Sequence, residues 1–261
     1  MRINGSGYVR ICQMLVLASD SPRRQKLLEL AGWEFKAIPA EIDESSLPGE
    51  DPRSYVMRLA RQKAITSASQ ALPGSLVVAA DTAVVFAGQI IGKPADPAEA
   101  VEILARLRGR AHQVYTALAI MRVDDDVLLS EMCVTDVIMR NYRDDELIAY
   151  VNSGNPMDKA GAYAIQHSVF DPVERLEGCY TNVVGLPLCS LYRLLRQLGA
   201  RVPEGKHLLC QALPPDSCEI SQELIAVLNI NRRVGTHNIT IVVLIRIGPQ
   251  GWLILVLILE V

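Results

Sequence analysis

The chain has 261 residues, half of them apolar and 21% charged, with 26 basic against 29 acidic side chains. That composition excludes collagen, coiled coil and wholesale disorder, and at about 150 residues per domain the length fits one large domain, or a domain and an appendage. A formal charge of −3 gives no overall field for a polyanion, which argues against a nucleic-acid coat protein and makes any phosphate contact a local matter.

Residues 1–13 have no period and read as an N-terminal extension; Met14 opens the first convincing strand, Met14 to Ala18. It runs into Ser19, Asp20 and Ser21 and then a helix over Pro22 to Leu30, with Ser21 expected as its N-cap. Arg23 and Arg24 fall in the first helical turn, where two cations oppose the positive end of the helix dipole. Orphan N–H groups, two guanidinium forks and the Ser19 hydroxyl make a phosphate cradle. The alternative is that both arginines are solvated and pair with Asp20 or Glu29. The loop EIDES brings Glu41, Asp43 and Glu44, either a holder for a hard cation or a solvated acidic loop.

A second helix is predicted over Pro52 to Ala68. Its apolar stripe runs Val56, Leu59, Ala60, Ala64, and Lys63 falls on the same side. Lys63 either snorkels outward or reaches into a cleft carrying negative charge. The strand Leu76 to Phe86 follows, a continuous apolar run broken only by Asp81 and Thr82. A carboxylate there costs several kcal/mol unless paired or bound to a metal, so Asp81 is either half of a structural ion pair or a functional acid. Lys93, in Gly92-Lys93-Pro94, is its possible partner or a phosphate ligand.

Further along, a helix is expected at Pro97 to Leu107, strands at Val114 to Val123 and Val127 to Met139 with a turn at Asp124, Asp125 and Asp126, and a helix at Asp144 to Val151. In DKAGAYAIQ, Asp158 and Lys159 precede small residues and an expected strand, Tyr163 to Gln166, whose terminal glutamine amide can read a base or another planar amide. The last helix of the body is Pro187 to Leu198.

Composition then shifts. Residues 201–217 carry three prolines and read as a linker, followed by a short helical pattern. Ile239 to Val261 is apolar enough to suggest a membrane span, but Arg246 and the Gly248-Pro249-Gln250-Gly251 interruption favour a β-hairpin with a four-residue loop over an integral membrane segment. The six cysteines show no C-x-x-C pair, which argues against structural zinc and for a reducing, cytoplasmic setting. No nucleophile signature surrounds Cys133 or Cys179, and His112 is expected as a hydrogen-bonded core or rim residue.

Taken in order, LASDSPRRQKLL, EIDES, YVMRLARQKA, VVAADTAVV, GKPAD, HQVYT, DKAGAYAIQ and EGCYTNVVGLPL resemble the Maf family of nucleoside triphosphate pyrophosphatases, from Met14 to about Leu198. The resemblance implies an α/β fold with an elongated, mixed, twisted sheet flanked by helices and a central cleft between two lobes. It implies hydrolysis of a nucleoside triphosphate between the α and β phosphates, dependence on a divalent cation such as Mg²⁺ or Mn²⁺, and a homodimer. By position, Asp81 matches the catalytic aspartate, as base, metal ligand or both. Ser19, Arg24, Glu44, Lys63 and Lys93 match residues handling phosphates and metal, with Glu44 and Asp81 as the metal candidates. Arg23, Thr82 and Gln166 are similar to the specificity set of the dTTP/UTP branch, which implies a pyrimidine with a keto oxygen, as dTTP, UTP or a modified pyrimidine nucleotide. Two positions depart from the pattern: Ala117 and His167 stand where glycine is usual.

The domain expectation is therefore an extension over 1–13, a nucleotide pyrophosphatase body over 14–200, and an appendage over 201–261 that acts as a dimerisation element or a membrane-contacting hairpin, or is out-of-frame sequence. A second reading of the body is a nucleotide-binding regulator of cell division that binds without turnover.

Overall fold

Residues 14–167, 169–200, 239–246 and 252–259 are described by the structure, a computed structural model. The extension over 1–13, the linker over 201–217 and the helical pattern after it lie outside those residues. The chain divides into two compact units, Met1–Cys218 and Glu219–Val261.

In the first unit, proline at the first helical position starts three helices: α1 (Pro22–Leu30), α2 (Pro52–Ala68) and α3 (Pro97–Leu107). Asp51 and Asp96 cap the last two, accepting from the backbone N–H groups of Arg53 and Ser54 and of Glu99. Three acids, Asp144, Asp145 and Glu146, complement the dipole at the start of α4 (Asp144–Asn152). Two further helices, α5 (Tyr180–Val184) and α6 (Leu188–Gln197), follow.

Seven strands form one sheet: β1 (Leu15–Leu17), β2 (Phe35–Ala37), β3 (Leu76–Phe86), β4 (Gln89–Ile91), β5 (Ala111–Arg122), β6 (Val127–Met139) and β7 (Val173–Glu177). The order is β2-β1-β3-β5-β6-β7, with β4 also on β3. Only the β1–β2 and β1–β3 pairs are parallel, so the sheet is mixed, as expected.

Alternation along β3 and β5 sorts side chains between two cores. Val77, Ala79, Ala83 and Val85, with Tyr115, Ala117, Ala119 and Met121, pack beneath Val56, Ala60 and Ala64 of α2. Val84 and Val114 face the opposite side, with Ile103, Leu104 and Leu107 of α3 and Leu147 and Tyr150 of α4. The edge of β3 is not continuously covered. β1 pairs with it at Leu76 to Val78 and β4 at Val84 to Phe86, leaving residues 79–83 without a strand partner on that side. On its other side β5 pairs with it without interruption from Leu76↔Arg122 to Val85↔Gln113.

The expected strand Tyr163 to Gln166 is absent. A 3-10 turn at Ala160–Ala162 precedes it, with left-handed backbone at Gly161 (φ 72°) and Ala162 (φ 57°), and the chain continues as loop and turn. The second unit contains the expected hairpin: β8 (Ile239–Arg246) pairs antiparallel with β9 (Trp252–Leu259) from Ile239↔Leu259 to Arg246↔Trp252. The expected four-residue loop, residues 248–251, lies outside the described residues. Among the described residues no helix is long and apolar enough to cross a membrane.

Candidate active site

The uncovered stretch of β3 opens onto a cavity of about 500 Å³. Its walls come from the β1–α1 turn, the loop before α2, α2 itself, β3, the loop after β4, the turn around residue 160 and the end of α5. Ser19, Arg23, Arg24, Glu44, Lys63, Asp81, Thr82, Lys93 and Gln166 all line it. Asp81 and Thr82 are consecutive on a strand and point to opposite faces of the sheet, yet both reach the cavity because no neighbouring strand separates the faces at that edge.

Asp81 continues the α2-facing series of β3 and is 6% exposed. Lys63 meets it from α2: its Nζ lies 2.6 Å from Asp81 Oδ1 and 2.6 Å from Glu44 Oε1. The lysine, 8% exposed, thus turns inward to bridge two carboxylates. Burial raises the Asp81 carboxyl above its ordinary pKa, with Lys63 and then Arg24 opposing the rise. Burial pushes Glu44 up too, but the hydrogen bond and charge of Lys63, with Lys93 and Arg24, outweigh it and leave that carboxyl below its usual value. The two acids that share one ammonium thus shift in opposite directions, Asp81 upward and Glu44 downward.

Glu44 is held in place from α2. Tyr55 donates to its carbonyl at 2.9 Å, and Arg58 binds the Ser45 carbonyl at 3.0 Å and both oxygens of Glu50 at 2.7 Å. Of the three acids in EIDES, Glu44 alone lines the cavity. Asp43 instead accepts from the backbone N–H and the hydroxyl of its neighbour Ser45, so the alternating carboxylates do not form one cation site.

Arg24 is the hub of the opposite wall. Its Nε donates to the Gly185 carbonyl at 2.8 Å, Nη1 to Ser19 Oγ at 3.2 Å and Nη2 to Thr82 Oγ1 at 3.2 Å. Burial lowers its pKa, with Asp81 opposing. Ser21 occupies the N-cap position of α1 but makes no side-chain cap bond; its own N–H donates to Ser19 Oγ. The expected cap is thus absent. Arg23 reaches Asp158 Oδ2 at 3.5 Å, and the other oxygen of Asp158 pairs with Lys159, so neither arginine pairs with Asp20 or Glu29.

The cavity wall includes five basic side chains (Arg23, Arg24, Lys63, Lys93, Lys159) and four acidic ones (Asp20, Glu44, Asp81, Asp158). Sequence reasoning missed the Gly185 carbonyl, since a backbone acceptor leaves no side-chain signature; its signal is the positive φ of 113° that ends α5 at a glycine. His112, on β5, is buried as expected and bonds Tyr163 Oη through Nε2 at 2.8 Å.

Comparison with known proteins finds relatives along most of the first unit. A chain from Geobacter sulfurreducens named "dTTP/UTP pyrophosphatase" is 50% identical over 186 residues, which cover 71% of this chain and 97% of that one. One of the same name from Geobacter metallireducens is 49% identical over 71% of this chain and 96% of its own. Among solved structures, a HAM1 protein from Coxiella burnetii aligns with a TM-score of 0.36 and 22% identity, over 59% of this chain and 88% of that one. The model of the Maf-like protein family matches residues 14–198. With that span matched and relatives of about half identity along nearly their whole length, this chain belongs to the Maf-like protein family.

Proposed function

We propose that the chain is a nucleoside triphosphate pyrophosphatase that hydrolyses dTTP and UTP between the α and β phosphates, giving the monophosphate and pyrophosphate. The observation that carries this reading is the convergence of one buried carboxylate, Asp81, with five cationic side chains on a single cavity. Its support in kind is the name that the similar Geobacter chains bear. A triphosphate compensates the cations that crowd the start of α1 and the end of β4, and about 500 Å³ is within the usual range for a small-molecule site.

In this reading Arg24, Ser19, Lys63 and Lys93 hold the phosphates, and the orphan N–H groups at the start of α1 add dipolar attraction. Asp81 takes a proton from the attacking water, its raised pKa making it a stronger base than a surface aspartate while Lys63 favours its ionised form. The cations then stabilise charge on departing pyrophosphate. Arg23, Thr82 and Gln166 face the base.

Glu44 and Asp81 also suit a divalent cation. Both are hard oxygen donors, they already converge on one ammonium at 2.6 Å, and that ion pair engages only one oxygen of each. Mg²⁺ or Mn²⁺ held there supplies Lewis-acid neutralisation of phosphate charge. A substrate from the nucleotide pool assigns the activity to the cytoplasm, and the homodimer implied by the family resemblance is checked by sedimentation. The direct test is incubation with dTTP or UTP and each metal. Release of pyrophosphate is expected; orthophosphate alone, or tight binding without product, overturns the reading, the latter in favour of a regulator.

A further inference from the structure

A hydroxyl can donate or accept, and heavy-atom positions alone do not say which of two hydroxyls donates to the other. Around Thr82 the neighbours remove that ambiguity. Thr82 Oγ1 and Thr116 Oγ1 lie 2.9 Å apart, directly across the β3–β5 register. Thr116 Oγ1 is also 3.0 Å from the carbonyl oxygen of Asn182, which can only accept. A threonine has one hydroxyl hydrogen, so Thr116 gives its own to Asn182 and must accept from Thr82. On its other side Thr82 Oγ1 accepts from Arg24 Nη2 at 3.2 Å. With its hydrogen and one lone pair committed, Thr82 keeps a single lone pair to offer a ligand.

The Asn182 carbonyl is itself fixed. Asn182 is fully buried, and its Nδ2 donates to the Val114 carbonyl at 3.0 Å and to Thr135 Oγ1 at 2.8 Å. Thr135 spends its hydrogen on the Cys179 carbonyl at 3.2 Å, so its oxygen is left to accept from Asn182 and from the Cys179 N–H. Each hydroxyl in the chain from Thr135 to Thr82 therefore has one permitted direction.

We propose that Thr116, buried and outside the cavity wall, is a positioning residue that makes Thr82 an acceptor-only group toward the nucleobase. This rests on the reading of the cavity as a nucleotide site with Thr82 at its base-facing end. An acceptor-only Thr82 takes an N–H and turns away a ring nitrogen that carries a lone pair. Uracil and thymine present an N–H at ring position 3, between two carbonyls; cytosine presents a lone pair there. Thr116 thus selects keto pyrimidines over cytosine without touching either.

The test compares pyrophosphate release from UTP and CTP by the wild type, Thr116→Val, Thr116→Ser, Thr82→Val and the double valine variant. The wild type is expected to favour UTP in kcat/KM by at least about tenfold. In Thr116→Val the Thr82 hydrogen is free to turn toward the ligand, and the ratio falls toward one; Thr116→Ser, which keeps the hydroxyl, keeps the ratio. Thr82→Val, at a partly exposed position, lowers the ratio too, and adding Thr116→Val to it changes the ratio no further. A merely structural loss lowers both substrates together and leaves the ratio standing. A wild-type ratio near one, or a folded Thr116→Val that retains the wild-type ratio, overturns the proposal. Should that variant not fold, an unchanged ratio in Thr82→Val overturns it equally. Absence of pyrophosphate from both nucleotides with the wild type sinks the enzymatic reading itself, a result distinct from release without discrimination.

Discussion

The two members of the central ion pair have opposite effects when removed. Asp81 is buried and its carboxyl raised, so its ionised form costs stability at neutral pH. Asp81→Asn removes that charge while Lys63 keeps Glu44, and the expected outcome is a melting temperature no lower than wild type with kcat reduced at least about 10²-fold. Lys63→Met leaves the Asp81 charge without its nearest cation and should lose about 3–5 kcal/mol in a denaturant titration. His112 gives a pH-dependent case. Burial pulls its pKa from 6.5 to about 4, with Asp136 opposing, so the unfolded chain takes up a proton that the folded one refuses between those values. Stability is full above pH 6.5 and falls as pH drops toward about 4, by about 1.4 kcal/mol per unit. His112→Gln is expected to flatten that slope in melts taken across the same range.

Short elements govern what sequence reading could reach. α1, α2, α3, β3 and β6 have the expected bounds because proline and its preceding residue mark the helix starts, while eleven and thirteen residues of strand pattern outweigh local noise. β2 and β4 have three residues each and β7 five, too few to show alternation, and α5 is a five-residue helix set by its left-handed end. Tyr163 to Gln166 reads as a strand because tyrosine and isoleucine suit one; the two left-handed residues before it decide otherwise. For the site, side-chain chemistry pointed to Asp81, Lys63 and the arginines, whereas the bonds of Arg24 to a backbone carbonyl and to Thr82 depend on tertiary approach. At the end of α5 those features meet. A Cβ on Gly185 would lie 3.4 Å from Thr82 Oγ1 and 3.5 Å from Arg24 Nε, at a φ of 113°. Gly185→Ala should cost about 1–3 kcal/mol and raise KM for UTP more than it lowers kcat, as steady-state kinetics would read.

Across the whole molecule, the 186 residues aligned to the Geobacter sulfurreducens relative account for 97% of that chain and 71% of this one. The body therefore has a counterpart in which nothing corresponds to most of the remaining residues. We expect a chain lacking residues 201–261 to release pyrophosphate from UTP at the full-length rate; loss of activity on truncation would make the appendage part of the catalytic unit. Within the body, the interrupted edge of β3 bears on entry. Since residues 79–83 have no neighbouring strand to displace, a nucleotide arriving there severs no ladder and enters without local melting of the sheet. Amide hydrogens along that stretch should exchange more slowly once substrate is bound, while those shared with β5 keep their protection in either state.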